Sequence, residues 1–109
     1  LYNSSVMDFG RVKAAFQKAL ELEPNHVPTL LNYGNTLYNL DQLGAATEQF
    51  ELALQLEPGD LTANYNLALM YEQTDKKQQA IDRWKRFLKL NPPGESKSYA
   101  EQRLQQLQP

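Results

Sequence analysis

The chain repeats its own pattern every 34 residues. Pro24, Pro58 and Pro92 are separated by that interval, and each ends a similar phrase: ALELEP, ALQLEP and FLKLNP. Register and residue type agree over three successive units. A single irregular domain would have no reason to repeat its residues in this way. A period of this length predicts a stack of similar small units, each burying its apolar face against its neighbours.

The spacing of apolar residues inside each unit is helical. In residues 46–56 they fall mostly at i, i+4, i+7 and i+8, and residues 80–90 repeat this pattern. One aromatic position recurs at Phe16, Phe50 and Trp84, and we predict a buried ring there in each unit. Small residues that allow two helices to approach closely stand at Gly34, Ala46, Ala53, Ala68 and Ala80. Each unit is therefore predicted to be a pair of packed helices.

Prolines and short polar residues predict where the helices end and begin. A proline about two residues after each apolar run stops the helix, because it has no N–H and restricts the residue before it. Asp8, Asp60 and Asp75 can cap helix starts, and Pro28 suits a first turn. The predicted helices are Phe9–Leu22, Pro28–Leu40, Leu43–Leu56, Leu61–Thr74, Lys77–Leu90 and Ser96–Leu107.

These residues resemble the tetratricopeptide repeat family. Residues 27–60 match the family motif at Leu30, Tyr33, Gly34, Leu37, Ala46, Phe50, Ala53 and Pro58. Residues 61–94 match it at Leu67, Ala68, Tyr71, Ala80, Trp84 and Pro92. They depart from it at Asn64, where a bulky apolar residue is expected, and at Phe87, where alanine is expected; Phe87 is interpreted as filling the volume lost at Asn64. The resemblance implies an all-α, right-handed superhelical stack of antiparallel helix pairs.

The whole chain, residues 1–109, is predicted to be one domain of this kind. Residues 1–26 are interpreted as a partial repeat in which Leu1–Met7 would be the tail of a first helix. Complete repeats follow at 27–60 and 61–94. Residues 95–109 carry an apolar stripe on an otherwise polar, Gln-rich helix, the composition of a terminal capping helix. We interpret the N-terminus as an interruption and the C-terminus as a natural end.

The sequence offers little for catalysis or for binding a metal or cofactor. The chain has no cysteine and one histidine, His26, which we interpret as an ordinary loop residue because it lacks partners. Catalytic, cofactor and metal sites are therefore not predicted, and neither is an enzyme. The formal net charge of −2 disfavours nucleic acid as a partner, and no apolar run approaches a membrane span. The compartment is left open.

The family resemblance places the predicted binding surface on the first helix of each repeat, which lines a concave groove. By register, the lining is Leu31, Asn32, Asn35, Tyr38 and Asn39, followed by Tyr65, Asn66, Leu69, Glu72 and Gln73. Family members that clamp a terminal carboxylate use lysines and arginines in this groove, but none occurs here between Lys18 and Lys76. A second family mode, in which Asn32 and Asn66 bond the backbone of an extended peptide, fits better. The alternative is that these asparagines make local hydrogen bonds.

The charges are segregated along the chain. Residues 19–75 hold nine acids and no Lys or Arg, whereas residues 76–89 hold six bases and one acid. Helical phase turns Trp84 inward and Arg83, Lys85, Arg86 and Lys89 outward, with Asp82 able to pair with Arg86. The basic helix is interpreted as a solvated convex face. Docking of an acidic partner, or of the acidic middle of a second copy, is the alternative.

The predicted function is a module or scaffold that binds a peptide or loop of a partner protein. One alternative is a regulatory or targeting appendage of an enzyme whose catalytic domain lies outside this sequence, and a weaker one is a self-assembling scaffold. Because Val12, Phe16 and Leu20 would lack much of their partner helix, a homo-oligomer through the N-terminal end is also expected.

Overall fold

The computed structural model describes residues 4–108, with side chains from residue 9 onward. This part of the chain forms helices joined by short turns and contains no strand. The helices are α1 Ser4–Leu22, α2 Val27–Asn39, α3 Leu43–Leu56, α4 Leu61–Gln73, α5 Lys77–Lys89 and α6 Gly94–Leu107. None of those described is long and apolar enough to cross a lipid bilayer.

Each helix packs mainly against the helix that precedes it and the helix that follows it in the chain. The turns between them are a few residues long, which makes consecutive helices antiparallel neighbours. The pairs α2/α3 and α4/α5 form the body of the stack, with α1 against α2 and α6 against α5. This architecture confirms the predicted α-solenoid of helix pairs.

The core lies inside the helix pairs and is built from the recurring positions. Phe50 and Trp84 are fully buried, as predicted, whereas Phe16 is only half-buried and stacks on Tyr33 with 4.9 Å between ring centroids. A Cβ placed on Gly34 would lie 2.6 Å from the ring of Phe50, so α2 and α3 can meet at this distance only with glycine there. The small residues thus set the spacing within a pair.

The first helix differs from the prediction. Instead of starting at Phe9 with Asp8 as its cap, α1 begins at Ser4 and runs through Asp8 without a break. In the later repeats the turn between the paired helices uses a left-handed residue, Asp41 (φ 63°) or Asp75 (φ 65°). The residue 34 positions before Asp41 is Met7, for which that conformation is costly, so the helix continues there.

Of the other predicted helix starts, one is confirmed and one is wrong. The Oδ1 of Asp60 accepts a hydrogen bond of 2.8 Å from the backbone N–H of Ala63, which caps α4. Asp75 does not cap α5, because Lys76 occupies that position and Asp75 supplies the left-handed turn instead. Pro28 lies in the first turn of α2, as predicted. The remaining helix ends lie within two residues of their predicted positions.

Replacing Trp84 with alanine should destabilise the chain strongly. Its side chain is completely buried, and truncating a buried aromatic residue costs about 3–5 kcal/mol. Thermal and denaturant unfolding would measure this loss. Lys85→Ala, an exposed position on the same helix, is the matched control and should change stability by less than about 0.5 kcal/mol. Equal stability of the two variants would contradict the assigned register.

Candidate functional site

The structure brings the two predicted groove helices together through side-chain hydrogen bonds. The Nδ2 of Asn66 donates to the Oδ1 of Asn35 at 3.2 Å, and the Nε2 of Gln73 donates to the hydroxyl of Tyr38 at 3.0 Å. Both bonds cross from α4 to α2, so residues of the two repeats share one surface. We call this surface the α2–α4 face; the residues predicted from the sequence to line it are Leu31, Asn32, Asn35, Tyr38, Asn39, Tyr65, Asn66, Leu69, Glu72 and Gln73.

The residues of the α2–α4 face differ in how accessible they are. The exposed members are Asn32, Asn35, Tyr38, Asn39 and Gln73. Leu31, Tyr65 and Leu69 are half-buried and pack against the core, and Asn66 and Glu72 are also half-buried. The accessible part of the face is therefore a row of amides beside one tyrosine ring.

The hydrogen bonds across the face leave part of each amide unused. A primary amide carries two N–H donors and one carbonyl acceptor, and a tyrosine hydroxyl both donates and accepts. Asn66 and Gln73 each use one donor, which leaves the second donor and the carbonyl oxygen. These bonds fix the side-chain rotamers before a ligand arrives, so less side-chain entropy is lost on binding. Among the described contacts, the Asn32 side chain makes no hydrogen bond, although its backbone carbonyl accepts one from Thr36.

Glu72 is not the free groove charge that the sequence suggested. Its Oε2 accepts a 2.6 Å hydrogen bond from the indole N–H of Trp84, and its carboxylate forms an ion pair with Arg103 of α6. The bond to Glu72 raises the pKa of Arg103. Glu72 thus joins the buried ring of α5 to the capping helix, and its charge is compensated.

Tyr65 is likewise part of the packing rather than an open contact surface. Its ring lies 5.3 Å from Trp84, 5.5 Å from Phe87 and 5.9 Å from Tyr99, measured between centroids. Burial, with a smaller contribution from Tyr99, raises the pKa of Tyr65. Sequence reasoning missed Tyr99 and Arg103, because the 34-residue motif carries no register into α6.

The two departures from the repeat motif have separate partners. Asn64 is buried and donates from Nδ2 to the carbonyl oxygens of Pro58 and Asp60, while its Oδ1 accepts from Arg83 at 3.0 Å. Phe87 packs edge-on against Tyr65 and Trp84. One hydrogen bond from Arg83 and the two backbone carbonyls thus satisfy Asn64, and the compensation of its volume by Phe87 stays a prediction.

Arg83 also differs from the prediction that it points into solvent. It is half-buried, its Nη1 is bound to Asn64, and its Nε–H has no hydrogen-bond partner among the described residues. Burial lowers the pKa of Arg83, and the nearby charge of Arg86 lowers it further. Lys85, Arg86 and Lys89 are exposed, as predicted, but the structure gives no ion pair between Asp82 and Arg86 within the described chain.

Arg83 borders an open groove of about 770 Å³ between α3 and α5, with α4 as its floor. We call it the α3–α5 groove; its lining is Glu51, Leu54, Gln55, Pro58, Asn64, Leu67, Tyr71, Arg83, Arg86, Lys89 and Leu90. The hydroxyl of Tyr71 donates to the carboxylate of Glu51 at 2.7 Å. Burial and this bond raise the pKa of Tyr71 to about 12. Sequence reasoning missed the groove, because its walls come from two different repeats.

The remaining candidates add no chemistry. His26 is exposed and its Nδ1 lies 2.7 Å from the hydroxyl of Thr29, a contact within one turn. No cluster of three or more histidine, aspartate or glutamate side chains that could hold a metal occurs within residues 9–108. At the N-terminal end, Val12, Phe16 and Leu20 are half-buried and Leu22 is exposed, and association through this end stays a prediction.

The fold and the segregated surfaces define a helical repeat protein. A sequence model described as tetratricopeptide repeat matches residues 15–48, a stretch one period long. This match and the fold confirm the predicted resemblance to the tetratricopeptide repeat family. No curated protein matches the chain.

Several solved structures share the fold. A structure of YrrB, described as a TPR protein with an unusual peptide-binding site, is 22% identical, with a TM-score of 0.72; the match covers 85% of this chain and 46% of that one. The first TPR of Spaghetti (RPAP3), bound to the HSP90 peptide SRMEEVD, is 17% identical with a TM-score of 0.76, covering 93% and 80%. A MamA RS-1 double mutant is 20% identical with a TM-score of 0.68, covering 94% and 68%. The chain therefore spans less than half the length of YrrB.

Removing the Glu72 carboxylate should destabilise the chain. In Glu72→Ala the indole N–H of buried Trp84 loses its acceptor, and an unsatisfied buried donor costs about 1–3 kcal/mol. Urea unfolding followed by tryptophan fluorescence would measure this loss. Glu48→Ala removes an exposed acid from α3 and should change stability by less than about 0.5 kcal/mol. A Glu72 variant as stable as the Glu48 control would contradict this role.

The Glu51–Tyr71 pair should make one tyrosine titrate late. An absorbance titration of tyrosinate should show one of the six tyrosines ionising with a pKa of about 12, and Tyr71→Phe should remove that step. Because the folded pKa lies above the unfolded value, the stability that Tyr71 contributes is complete below pH 10 and is lost between pH 10 and about pH 12. Tyr38→Phe, an exposed tyrosine, is the control. If the late step persisted without Tyr71, the assignment would be wrong.

Proposed function

We propose that the chain is a non-catalytic protein-interaction module that binds an extended segment of a partner protein along the α2–α4 face. The proposal rests on the two hydrogen bonds that cross from α4 to α2, Asn66 to Asn35 and Gln73 to Tyr38. They hold a row of amides in fixed positions with donors and acceptors to spare. An extended peptide presents backbone N–H and C=O groups at regular intervals, which is what such a row can bind.

The charge of this face favours an uncharged segment. Neither α2 nor α4 contains a lysine or arginine, and Glu72 is paired with Arg103. The Spaghetti repeat is bound to a peptide with three acidic residues, and its similarity to this chain supports the use of the fold for peptide binding. It does not support the same ligand, because no unpaired cation on α2 or α4 could attract those acids. Binding should therefore depend little on salt.

Tyr38 is the main apolar contact of this proposal. It is exposed, and its hydroxyl accepts from Gln73, so the ring has a defined orientation at little entropic cost. Tyr65→Ala would also remove an aromatic ring from the α2–α4 face. The packing of Tyr65 against Trp84 and Phe87 makes that substitution a test of stability as well. Tyr38→Ala tests binding with less disturbance of the core.

Variants of the α2–α4 face should lose affinity and keep their fold. We would select the tightest decapeptide from a display library without charged residues and titrate it by fluorescence anisotropy. Asn32→Ala and Asn66→Ala should each weaken binding roughly 2- to 10-fold, the net value of one hydrogen bond, and Tyr38→Ala should weaken it more.

The control for this titration is Lys85→Glu, an exposed position on α5 that does not line the α3–α5 groove. It should bind the decapeptide like the unaltered chain. Circular dichroism melting would verify that each variant is folded. If Lys85→Glu abolished binding while Asn66→Ala and Tyr38→Ala bound normally, the α2–α4 face would not be the binding surface.

A further inference from the structure

We propose that the α3–α5 groove is a second docking site, which accepts an acidic segment of another protein with an apolar residue between its acids. The groove lies between the second helices of two successive repeats, away from the α2–α4 face. Its shape, its charge and the chemistry of its floor each support this occupant.

The wall on α5 is strongly positive. Arg83, Arg86 and Lys89 recur every three residues along the helix and all line the groove. No described acid lies within 4.0 Å of any of the three cationic groups. Asp82 and Glu51 lie near enough to Arg83 to compensate part of its charge, but none of the three cations forms an ion pair, so a segment carrying carboxylates would find complementary charge there.

The opposite wall offers little competing charge. Glu51 is the one acid of the lining, and it accepts the hydrogen bond from Tyr71 on the side of α4. Its neighbours in the wall, Leu54 and Gln55, are uncharged. A bound acidic segment would therefore meet repulsion from this one carboxylate, whose charge also acts on Arg83.

The floor and lower end of the groove are largely apolar, apart from Asn64 and the hydroxyl of Tyr71. Leu67 and Leu54 are buried side chains facing the groove, and Leu90 and Pro58 border its end. Leu90 is 36% exposed, so a partner side chain could cover it. An apolar residue of the partner would cover this surface. The acids on either side of it would then lie beside the cations at the rim of the groove. Nucleic-acid bases usually stack on exposed aromatic rings. The lining of this groove presents no such ring, so a nucleic acid would fit the apolar floor poorly.

Arg83 is held at the inner edge of the groove. The hydrogen bond from its Nη1 to buried Asn64 fixes the guanidinium, although Nε–H is left without a partner. An N–H group without a partner is unfavourable in a side chain whose only role is packing. Such unsatisfied groups are expected at functional sites. Asn64 stands where the repeat motif has an apolar residue, so this departure from the motif serves to position Arg83.

The probe is a fluorescein-labelled peptide of three Glu-Leu-Glu repeats, titrated by anisotropy against the whole chain. Two matched peptides separate the contributions: Gln-Leu-Gln repeats remove the charge, and Glu-Ser-Glu repeats remove the apolar residue. The Glu-Leu-Glu peptide should bind, more weakly as salt is added, and both matched peptides should bind at least about 5-fold more weakly. No binding of the Glu-Leu-Glu peptide, or equal binding of either matched peptide, would overturn the proposal.

Charge reversals locate the site. Arg86 and Lys89 are exposed, so the double variant Arg86→Glu/Lys89→Glu should fold, and it should lose roughly 10-fold or more in affinity. The control Lys77→Glu/Lys85→Glu changes the net charge equally on the same helix but lies outside the groove. It should bind within about 2-fold of the unaltered chain once salt screens long-range attraction. Equal loss in both double variants would show a general charge effect and overturn the assignment.

Two further measurements exclude other occupants. A labelled single-stranded oligonucleotide that bound more tightly than the peptide, with the same sensitivity to Arg86 and Lys89, would show a nucleic-acid surface instead. Sedimentation showing a self-association that the Arg86→Glu/Lys89→Glu variant abolishes, with no peptide binding, would assign the groove to a second copy. Tyr38→Ala and Asn66→Ala should leave binding of the Glu-Leu-Glu peptide unchanged, so this proposal and the α2–α4 proposal can fail separately.

Discussion

The structure depends on the close approach of paired helices at positions where one side chain is nearly absent and the facing one is aromatic. At Gly34 any Cβ would collide with the ring of Phe50, and α2 and α3 meet there without a gap. Alanines at the other contact positions, Ala46, Ala53, Ala68 and Ala80, are completely buried for the same reason. Once this spacing is set, the apolar stripes of the helices close over one another. The side chains that do not fit in the interior then lie on two separate outer surfaces.

Those two surfaces differ in chemistry because the chain assigns different residues to the two helices of each repeat. The α2–α4 face is made of amides and tyrosines and has one acid, Glu72, whose charge is compensated by Arg103. The α3–α5 groove has three cations, Arg83, Arg86 and Lys89, above an apolar floor. A surface of neutral hydrogen-bonding groups selects by geometry, and a charged one selects by the sign of the partner and by salt. The two proposed sites would therefore select different ligands on one small scaffold.

The sequence predicted those features that its period repeats. The end of α3 and the burial of Phe50 and Trp84 follow from residues that recur at 34-residue intervals, whereas the cap at Asp60 follows from its residue type alone. The period failed at Asp8, because Met7 cannot easily take the left-handed turn that Asp41 and Asp75 provide. It could not predict the partner of Glu72, since Arg103 lies in α6, outside the repeated register. The half-burial of Arg83 was also missed, because it depends on Asn64, the residue that breaks the motif.

The order of packing has a consequence for how the chain folds. Each helix rests mainly on its neighbours in sequence, so most tertiary contacts close short loops. Loop closure of this kind loses little chain entropy, and proteins of low contact order fold in microseconds to milliseconds. The Glu72–Arg103 pair reaches past one neighbour, from α4 to α6. The capping helix is therefore coupled to the interior of the stack, and it should open together with α4 and α5 rather than fray alone.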